Sequence, residues 1–283
     1  MSAARIHPAA IVDARAEIGA DVRIGAGSVI GPEVRLDAEV EIGHHVVLEG
    51  HVSVGPRTRI GHGAIVGTAP QDLKFTDGIL SGVRIGADTT LREYATVHRA
   101  SHDGEWTTIG NRCLVMAMAH VAHDCRLEDD VILINYAALT GHCHVAERAT
   151  IGGYSGTVPF MRIGAFAYVG GLSKITADVP PFCMVDGNPA TAHALNLIGL
   201  RRAGVSGEDR RVLKAAFRIL YRSGLTPARA LERIREEVPD TAHVRRLMEF
   251  LETARRGICG GKSGTRKAAG MAVSAPGDEE EEA

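Results

Sequence analysis

The chain has 283 residues, with 32 basic and 34 acidic side chains and a formal net charge of −2. That length holds one large domain or two modest ones, and the near balance of charge argues against nucleic acid as a partner. No apolar run is long enough to span a bilayer, and Met1–Ile6 lacks the basic-then-apolar pattern of a secretory signal, so the cytoplasm is the expected location.

From Ile6 onward a large aliphatic recurs at every sixth residue: Ile6, Val12, Ile18, Ile24, Ile30, Leu36, Ile42, Leu48, Val54, Ile60 and Val66. No α-helix keeps one face at that period, because its turn takes about 3.6 residues. An amphipathic strand alternates every two. A period of six reads as a short strand plus a corner, repeated, which is the hexapeptide β-helix pattern. Three units are expected to close one coil, so that residues eighteen apart stack with their aliphatics inside a prism. Each buried aliphatic contributes about 1.5–3 kcal/mol, and stability accumulates coil by coil. The fifth place of the unit is small or β-branched (Val22, Ser28, Val40, Thr58) and fills the space beside the aliphatic. The residue after the aliphatic is usually Gly or an acid (Gly19, Gly25, Gly31, Asp37), and is expected to take a corner whose dihedrals favour Gly. An aromatic content of 4% suits such a core, which needs few rings.

Residues 68–82 (TAPQDLKFTDGILSG) break the period and are predicted to leave the prism as a loop. The beat resumes at Ile85, Leu91 and Val97, is interrupted by residues 99–108 (RASHDGEWTT), and returns from Ile109 to Ile175 with Thr157 as its one weak place. Ile85 and Ile109 are separated by a multiple of six, so the second break is an insertion in a continuous helix. Loops ejected from a regular scaffold often carry function; the plain alternative is tolerated surface insertion.

The β-helix domain is predicted over 1–187, stopping near Val179-Pro180-Pro181 because proline cannot pair. GNPAT (187–191) reads as a turn into a C-terminal α-helical domain over 188–259. Its helices are predicted over Ala194–Ala203; from Ser206, a cap with Asp209 three residues on, to Gly224; from Thr226-Pro227 to about Val238; and from a cap at Asp240 through Arg256 to Gly257. The apolar face of the second carries Leu213, Ala216, Phe217 and Leu220. Residues 260–283, closing on DEEEE, read as a disordered acidic tail. Five cysteines without a tight spacing read as reduced thiols. Cys113, Cys125 and Cys143 sit at the small inward place and read as core filler, with metal or redox use as the rival.

Histidines gather in the central coils: His98, His102, His120, His123, His142 and His144. His123 is third in its unit, and the same place one coil on is Gly141. A base stacked against a residue with no side chain suits acyl transfer, which needs an imidazole titrating near neutrality and an unobstructed backbone N–H for an oxyanion. The bland reading is a polar rim of surface histidines. The rival chemistry is zinc held by histidines of neighbouring coils, as in the γ-class carbonic anhydrases, with His98, His120, His123 and His142 as candidates. Histidines at i and i+3 on this scaffold do not obviously converge on one centre.

QDLKF (71–75), VHRA (97–100), HVAHDC (120–125), TGH (140–142), IGGYSG (151–156), DVPPF (178–182), GNPAT, LNLIGLRR (195–202) and YRSG (221–224) occur in an order that resembles the acyl-carrier-protein:UDP-N-acetylglucosamine O-acyltransferases. The resemblance runs from about Ile6 to Gly257. It implies a homotrimer of left-handed parallel β-helices with sites between adjacent subunits, the handedness being an exception to the usual crossover rule. It implies transfer of a 3-hydroxyacyl chain from acyl carrier protein to UDP-N-acetylglucosamine, the first step of lipid A synthesis, without metal or organic cofactor. His123 matches the family's base, Gly141 its oxyanion donor, and Asp124 the residue after the base. Neighbours on a strand point to opposite faces, so a role for Asp124 beside His123 is not expected from geometry. Asp72 and Lys74 match the sugar-gripping loop, and His120 and His142 are assigned to substrate binding. Asn196 and Arg202 match residues holding the nucleotide, and Gly171 matches the acyl-chain ruler, where Gly leaves room for a longer chain. Arg210, Arg211 and Arg222 are candidates to meet the acidic carrier. The chain departs from the family at Val158-Pro159, which replace His-Gln, at Ile198, which replaces an acid, at Ala203, which replaces an arginine, and at Pro189, where some members have His. A 3-amino sugar nucleotide as acceptor, and a scaffold without catalysis, remain open.

Overall fold

The structure, a computed structural model, describes residues 4–76, 78–254 and 256–261. The repeat strands are two to four residues long and end on the aliphatic beat, except Ile65–Thr68 and Thr96–His98, which run past it beside the ejected loops. Each pairs in parallel with its counterpart one coil away, Ile6 with Ile24 and Ile60 with Ile42. The described strands form three sheets of eleven, nine and eight strands, which wall a three-sided parallel β-helix. Leu48, Val54, Leu91, Val97, Val121, Leu133 and Leu139 point inward and are fully buried. Val22, Val46, Ala64, Ala95 and Ala119 fill the fifth place, equally buried. Cys113, Cys125 and Cys143 do the same as free thiols. The weak beat at Thr157 is tolerated because its Oγ1 accepts the Thr140 N–H at 3.0 Å inside the prism. In the first coil, Ile6 and Ile11 are exposed.

The corners differ from expectation. The left-handed dihedral does not fall on the Gly after the aliphatic. It falls two places later, on residues such as Asp21, Arg57, Tyr94, Asp124, His142 and Phe160, with φ of 55–68° across the non-glycine corners. The earlier Gly is required by close approach instead: a Cβ on Gly25 would lie 2.4 Å from the Gly43 carbonyl oxygen of the next coil.

Because coils stack, each corner is a column. The corner after the eight-stranded sheet carries charge: Asp21, Glu39, Arg57, Asp88, Arg112, Asp130 and Arg148. Arg57 reaches Asp88 through two hydrogen bonds of 2.7 Å, and Arg112 pairs with Asp130 at 2.9 Å. The corner after the eleven-stranded sheet is apolar and exposed: Tyr94, Met118, Tyr136, Tyr154 and Leu172, with Tyr136 and Tyr154 stacked at 4.6 Å. The corner after the nine-stranded sheet carries Asp124, His142 and Phe160.

The first loop leaves after Ile65–Thr68 and returns at Gly82–Ile85. The second is shorter than predicted, since Trp106 and Thr107 already pair with Gly82 and Val83. The loops are tied together: the Leu80 N–H donates to Asp103 at 2.7 Å, and the Gly104 N–H to the Leu80 carbonyl at 2.7 Å.

Beyond the coils, Cys183–Gly187 and Ala190–Leu195 form an antiparallel hairpin across GNPAT. The first helix, α1, therefore spans only Leu197–Arg202, starting later than predicted because Asn196 caps it and the preceding residues pair as strand. The others are α2 (Gly207–Arg222), α3 (Pro227–Glu237) and α4 (Ala242–Glu252). Ser206 caps α2 and Thr226 caps α3, as read from sequence. Thr241, not Asp240, caps α4, since its hydroxyl takes the Val244 N–H while Asp240 binds Arg245; the helix also ends short of Arg256. The helices enclose a second core around Phe182, Leu200, Leu213, Phe217, Ile234 and Leu247. Arg246 binds Glu147 of the prism through both carboxylate oxygens, and Arg162 donates to the Thr253 carbonyl at 2.8 Å. The chain then returns along the last coil, with the Asp178 N–H donating to Gly257 at 3.1 Å and the Ala192 N–H to Gly260 at 2.7 Å. Gly260 and Gly261 are thus paired rather than part of a tail, and residues 262–283 lie outside the described residues.

Leu91 is fully buried and distant in sequence from the histidines, so Leu91→Ala should lower the unfolding free energy by about 2–5 kcal/mol. Arg57→Ala, in an exposed pair, should cost far less than Leu91→Ala. Urea unfolding measures both, and equal losses would mean that the prism core is not what holds the coils.

Candidate active site

His123 and Asp124 follow the strand His120–Val121 and lie in the corner, not in the strand. The left-handed dihedral at Asp124 (φ 58°) turns its side chain to the same side as His123, so the strand alternation does not apply. His123 Nδ1 lies 2.6 Å from Asp124 Oδ2. The pair is largely shielded, with side-chain exposures of 13% and 10%. Asp124 also accepts from the Ser101 hydroxyl at 2.6 Å and the Ser101 N–H at 3.1 Å, while its own N–H donates to Thr107 Oγ1 at 2.9 Å. Burial raises the Asp124 pKa, but the hydrogen bonds from Ser101 and His123 outweigh it and leave the carboxyl below its ordinary value. An ionised Asp124 accepts a hydrogen bond from Nδ1–H, which leaves Nε2 as the free base position.

Gly141 lies against that ring, and a Cβ there would come within 2.5 Å of His123 Cε1 and 2.7 Å of Nε2. Any side chain at 141 would displace the imidazole. In other columns, the N–H of the third residue donates to the third side chain of the next coil: Ala26 to His44 Nδ1 at 2.9 Å, His44 to His62 Nδ1 at 2.8 Å, Asn111 to Asp129 at 2.9 Å. Above Gly141 that place is Pro159, which has no acceptor on its ring, and among the described residues nothing takes the Gly141 N–H.

His142 completes the cluster. Its Nε2 is 3.5 Å from Asp124 Oδ2, its ring is perpendicular to His123 at 5.2 Å, and it stacks in parallel on Phe160 at 4.4 Å. Burial lowers its pKa, the Asp124 and Asp72 carboxylates pull upward, and His123 and His102 push down; the net is a lowered value. Asp72 thus acts on His142 from the first ejected loop. Lys74 is exposed in that loop, and its N–H donates to Asp72 Oδ1 at 3.0 Å. His120 Nδ1 meets Thr96 Oγ1 at 2.7 Å, and burial lowers its pKa.

Three candidate residues are not gathered here. Asn196 caps α1 through the Gly199 N–H at 2.9 Å and donates to the Phe166 carbonyl at 2.9 Å. Arg202 is exposed in the last turn of α1. Gly171 is on the apolar corner, one prism edge away from His123, where a Cβ would sit 3.3 Å from the Gly153 carbonyl oxygen. Ile198 is exposed on α1.

The sequence pattern gives no role to Ser101, Thr107 or Phe160, whereas His98 is one of the histidines it offers as a zinc candidate. Ser101 is in an ejected loop whose course has no period, so only its proximity to a functional loop was visible. His98 is 7% exposed, forms an edge contact with His120 at 4.9 Å, and its Nδ1 has no partner among the described residues.

Ligating atoms of His123, Asp124 and His142 all lie within 4.8 Å of one another. Two ligands on a tetrahedral zinc at about 2.0–2.1 Å stand about 3.3 Å apart. The 2.6 Å between His123 Nδ1 and Asp124 Oδ2 is the spacing of a shared proton, so the cluster as built does not fit zinc.

The family described as Udp N-acetylglucosamine O-acyltransferase, domain 2, matches residues 178–259. An acyl-[acyl-carrier-protein]--UDP-N-acetylglucosamine O-acyltransferase of Burkholderia orbicola is 45% identical over 263 residues, covering 90% of this chain and 98% of its own. One from Gloeothece citriformis is 47% identical over 209 residues, 72% of this chain and 75% of its own. The solved UDP-N-acetylglucosamine acyltransferase of Bacteroides fragilis superposes with a TM-score of 0.86 at 31% identity, covering 89% of this chain and 98% of that one. This chain belongs to the acyl-carrier-protein–UDP-N-acetylglucosamine O-acyltransferase family. Like the structures of that family, its parallel β-helix is left-handed.

Burial, with His120 and His123 nearby, holds the His98 pKa down to about 4. In the unfolded chain it returns to about 6.5. The unfolded state therefore binds the proton first, and the contribution of neutral His98 is complete above about pH 6.5 and lost as pH falls toward 4, on the order of 3 kcal/mol. His98→Gln should flatten the pH dependence of stability in that window whatever it does to stability at pH 8. Denaturant titrations at several pH values measure the slope, and an unchanged slope would assign the acid sensitivity elsewhere.

Proposed function

We propose that this chain transfers a 3-hydroxyacyl group from the thioester of acyl carrier protein to the 3-hydroxyl of UDP-N-acetylglucosamine, with His123 as general base. The observation that carries the proposal is the imidazole of His123 held by Asp124 on one nitrogen and packed against Gly141 on the other side. Nε2 takes the proton from the sugar hydroxyl as its oxygen attacks the thioester carbonyl. The Gly141 N–H meets the developing oxyanion. Collapse expels the carrier thiolate, which regains the proton from the imidazolium. Asp124 stabilises that cation and fixes the tautomer that precedes it. Neutral His142 and the carboxylate of Asp72 flank the acceptor, with Lys74 beside them. The reaction requires no metal or organic cofactor.

The working unit in this reading is a homotrimer in the cytoplasm. Its support is geometric: Gly171 is on a different prism edge from His123, and Asn196 and Arg202 are on α1, so one chain does not gather the full set. The exposed apolar column from Tyr94 to Leu172 supplies a face for a second copy, and Gly153 and Gly171 put no side chain beside it. Among the described residues no helix is long and apolar enough to cross a membrane.

The carrier is acidic, and α2 offers it a basic face. Arg211, Lys214 and Arg218 project from one exposed side. Arg210 instead turns back to the Val205 carbonyl at 3.1 Å, and Arg222 to that of His193 at 3.4 Å, so of the three arginines offered by the sequence only Arg211 is kept in this reading, joined by Lys214 and Arg218. Reversing Lys214 and Arg218 to Glu should raise the donor KM about tenfold or more at low salt, and less at high salt, with little change in kcat. A salt-independent KM would remove α2 from the docking face.

The reading itself is tested by radiolabelled transfer from 3-hydroxyacyl carrier proteins to UDP-N-acetylglucosamine. His123→Ala should lower kcat by at least about a thousandfold in an assembly of unchanged size by sedimentation. Turnover that survives this change would sink the general-base assignment, and an inactive wild-type protein would sink the reaction.

A further inference from the structure

The corner column of Asp124, His142 and Phe160 has a fastener from outside the prism. After α4 the chain returns to the last coil, and there Arg256 Nη1 donates to the Pro159 carbonyl at 3.1 Å. Its guanidinium stands 5.1 Å from the centre of the Phe160 ring. The other face of Phe160 lies parallel to His142, 4.4 Å away with a 4° tilt. Arg256, Phe160, His142, Asp124 and His123 thus form a continuous file. We propose that Arg256 is a positioning residue of the active site, holding Phe160 against His142 and so fixing the imidazole that faces Asp124.

Three features support the assignment. Phe160 is a bulky residue in the left-handed region (φ 66°) and its side chain is 50% exposed, so neither backbone preference nor burial holds the ring. Its N–H donates to the Gly141 carbonyl at 3.0 Å, so a shift at Phe160 reaches the residue that packs on His123. Arg256 itself is anchored, because the segment that follows pairs with the last coil on both sides of Cys259: the Asp178 N–H donates to Gly257 at 3.1 Å, and the Cys259 N–H to Asp178 at 2.8 Å. A planar cation on the ring face, with one hydrogen bond to the preceding carbonyl, restrains two consecutive residues of the corner at once. The helical region therefore acts on this corner through the segment that leaves α4, as well as on the prism through Arg246 and Arg162.

The consequence for catalysis rests on the acyl-transfer reading; the ring geometry does not. Two measurements on the full assembly separate them. In ligand-free protein with labelled histidine, the His142 Cε1 proton should be shielded by the Phe160 ring, and Arg256→Ala should move it downfield while Arg256→Lys leaves it near the wild-type position. In the transfer assay, Arg256→Ala should lower kcat/KM by about tenfold or more, and Arg256→Lys should recover most of it. Phe160→Leu should reproduce the defect, and the double variant Arg256→Ala/Phe160→Leu should be no worse than Phe160→Leu alone. An unmoved His142 resonance in Arg256→Ala, or losses that simply multiply in the double variant, would overturn the proposal. Should Arg256→Ala fail to assemble, the Lys variant and Phe160→Leu decide it on the same resonance. A wild-type enzyme inert toward these substrates would sink the acyl-transfer reading and leave the His142 resonance as the test of the clamp.

Discussion

Everything in this chain depends on stacking identical positions at the strand spacing of about 4.8 Å. A residue and its counterpart one coil away share an environment, so an error at one place is felt above and below. That is why Gly stands where backbones meet: at Gly25, Gly61 and Gly152 an added Cβ would fall within 3 Å of the next coil. The same stacking lets polar groups enter the interior cheaply. Ser28 donates to the Gly43 carbonyl at 2.8 Å and accepts the Val46 N–H at 3.1 Å, satisfying two backbone groups of the next coil with one hydroxyl. Loops can be ejected without cost to the register, since Val83 pairs with both Val52 below and Thr107 above across two insertions.

Stacking also makes each corner a line, and the three lines have separated chemistries. The charged line satisfies itself: Arg57 with Asp88, Arg112 with Asp129 and Asp130. Each exposed pair contributes little to stability, but together they leave that edge with no demand for a partner. The apolar line from Tyr94 to Leu172 has the opposite character, with large side chains exposed and nothing within the described chain to cover them. The third line holds the histidines and is shielded by the second ejected loop, whose Ser101 reaches Asp124. The prism thus has one edge of paired charges, one exposed apolar edge and one edge where histidines gather around a carboxylate.

The register was legible because periodicity reports what points inward, and the inward positions are the ones that cannot vary. The meeting of His123 with Gly141 was legible for the same reason, being a consequence of counting eighteen. What the count could not show was the direction of the corner residue. Asp124 follows His123 in sequence and would oppose it on a strand, but the left-handed corner brings both carboxylate and imidazole to one side. Contacts made by aperiodic segments were equally invisible: Ser101 from a loop, and Arg256 from the segment after α4, touch the column from outside the repeat. The first helix was misplaced because a run of Ala, Thr and His between Ala190 and Leu195 has no decisive propensity, and the hairpin partner Cys183–Gly187 settled it as strand.

Pro159 shows how one substitution in a column can serve chemistry. In a β-helix the N–H that follows the first corner residue finds its acceptor on the next coil, as Ala26 does on His44 and Asn111 on Asp129. A coil that used this device at position 141 would have that N–H already occupied. Gly141 avoids crowding the imidazole below, and Pro159 withholds an acceptor from above. The open N–H is therefore created by two residues in adjacent coils rather than by Gly141 alone. Proline also fixes its own φ and has no N–H to satisfy, and its carbonyl is the group that Arg256 binds at 3.1 Å. The proline ring thus offers the Gly141 N–H no acceptor, while the proline carbonyl ties the corner to the segment after α4.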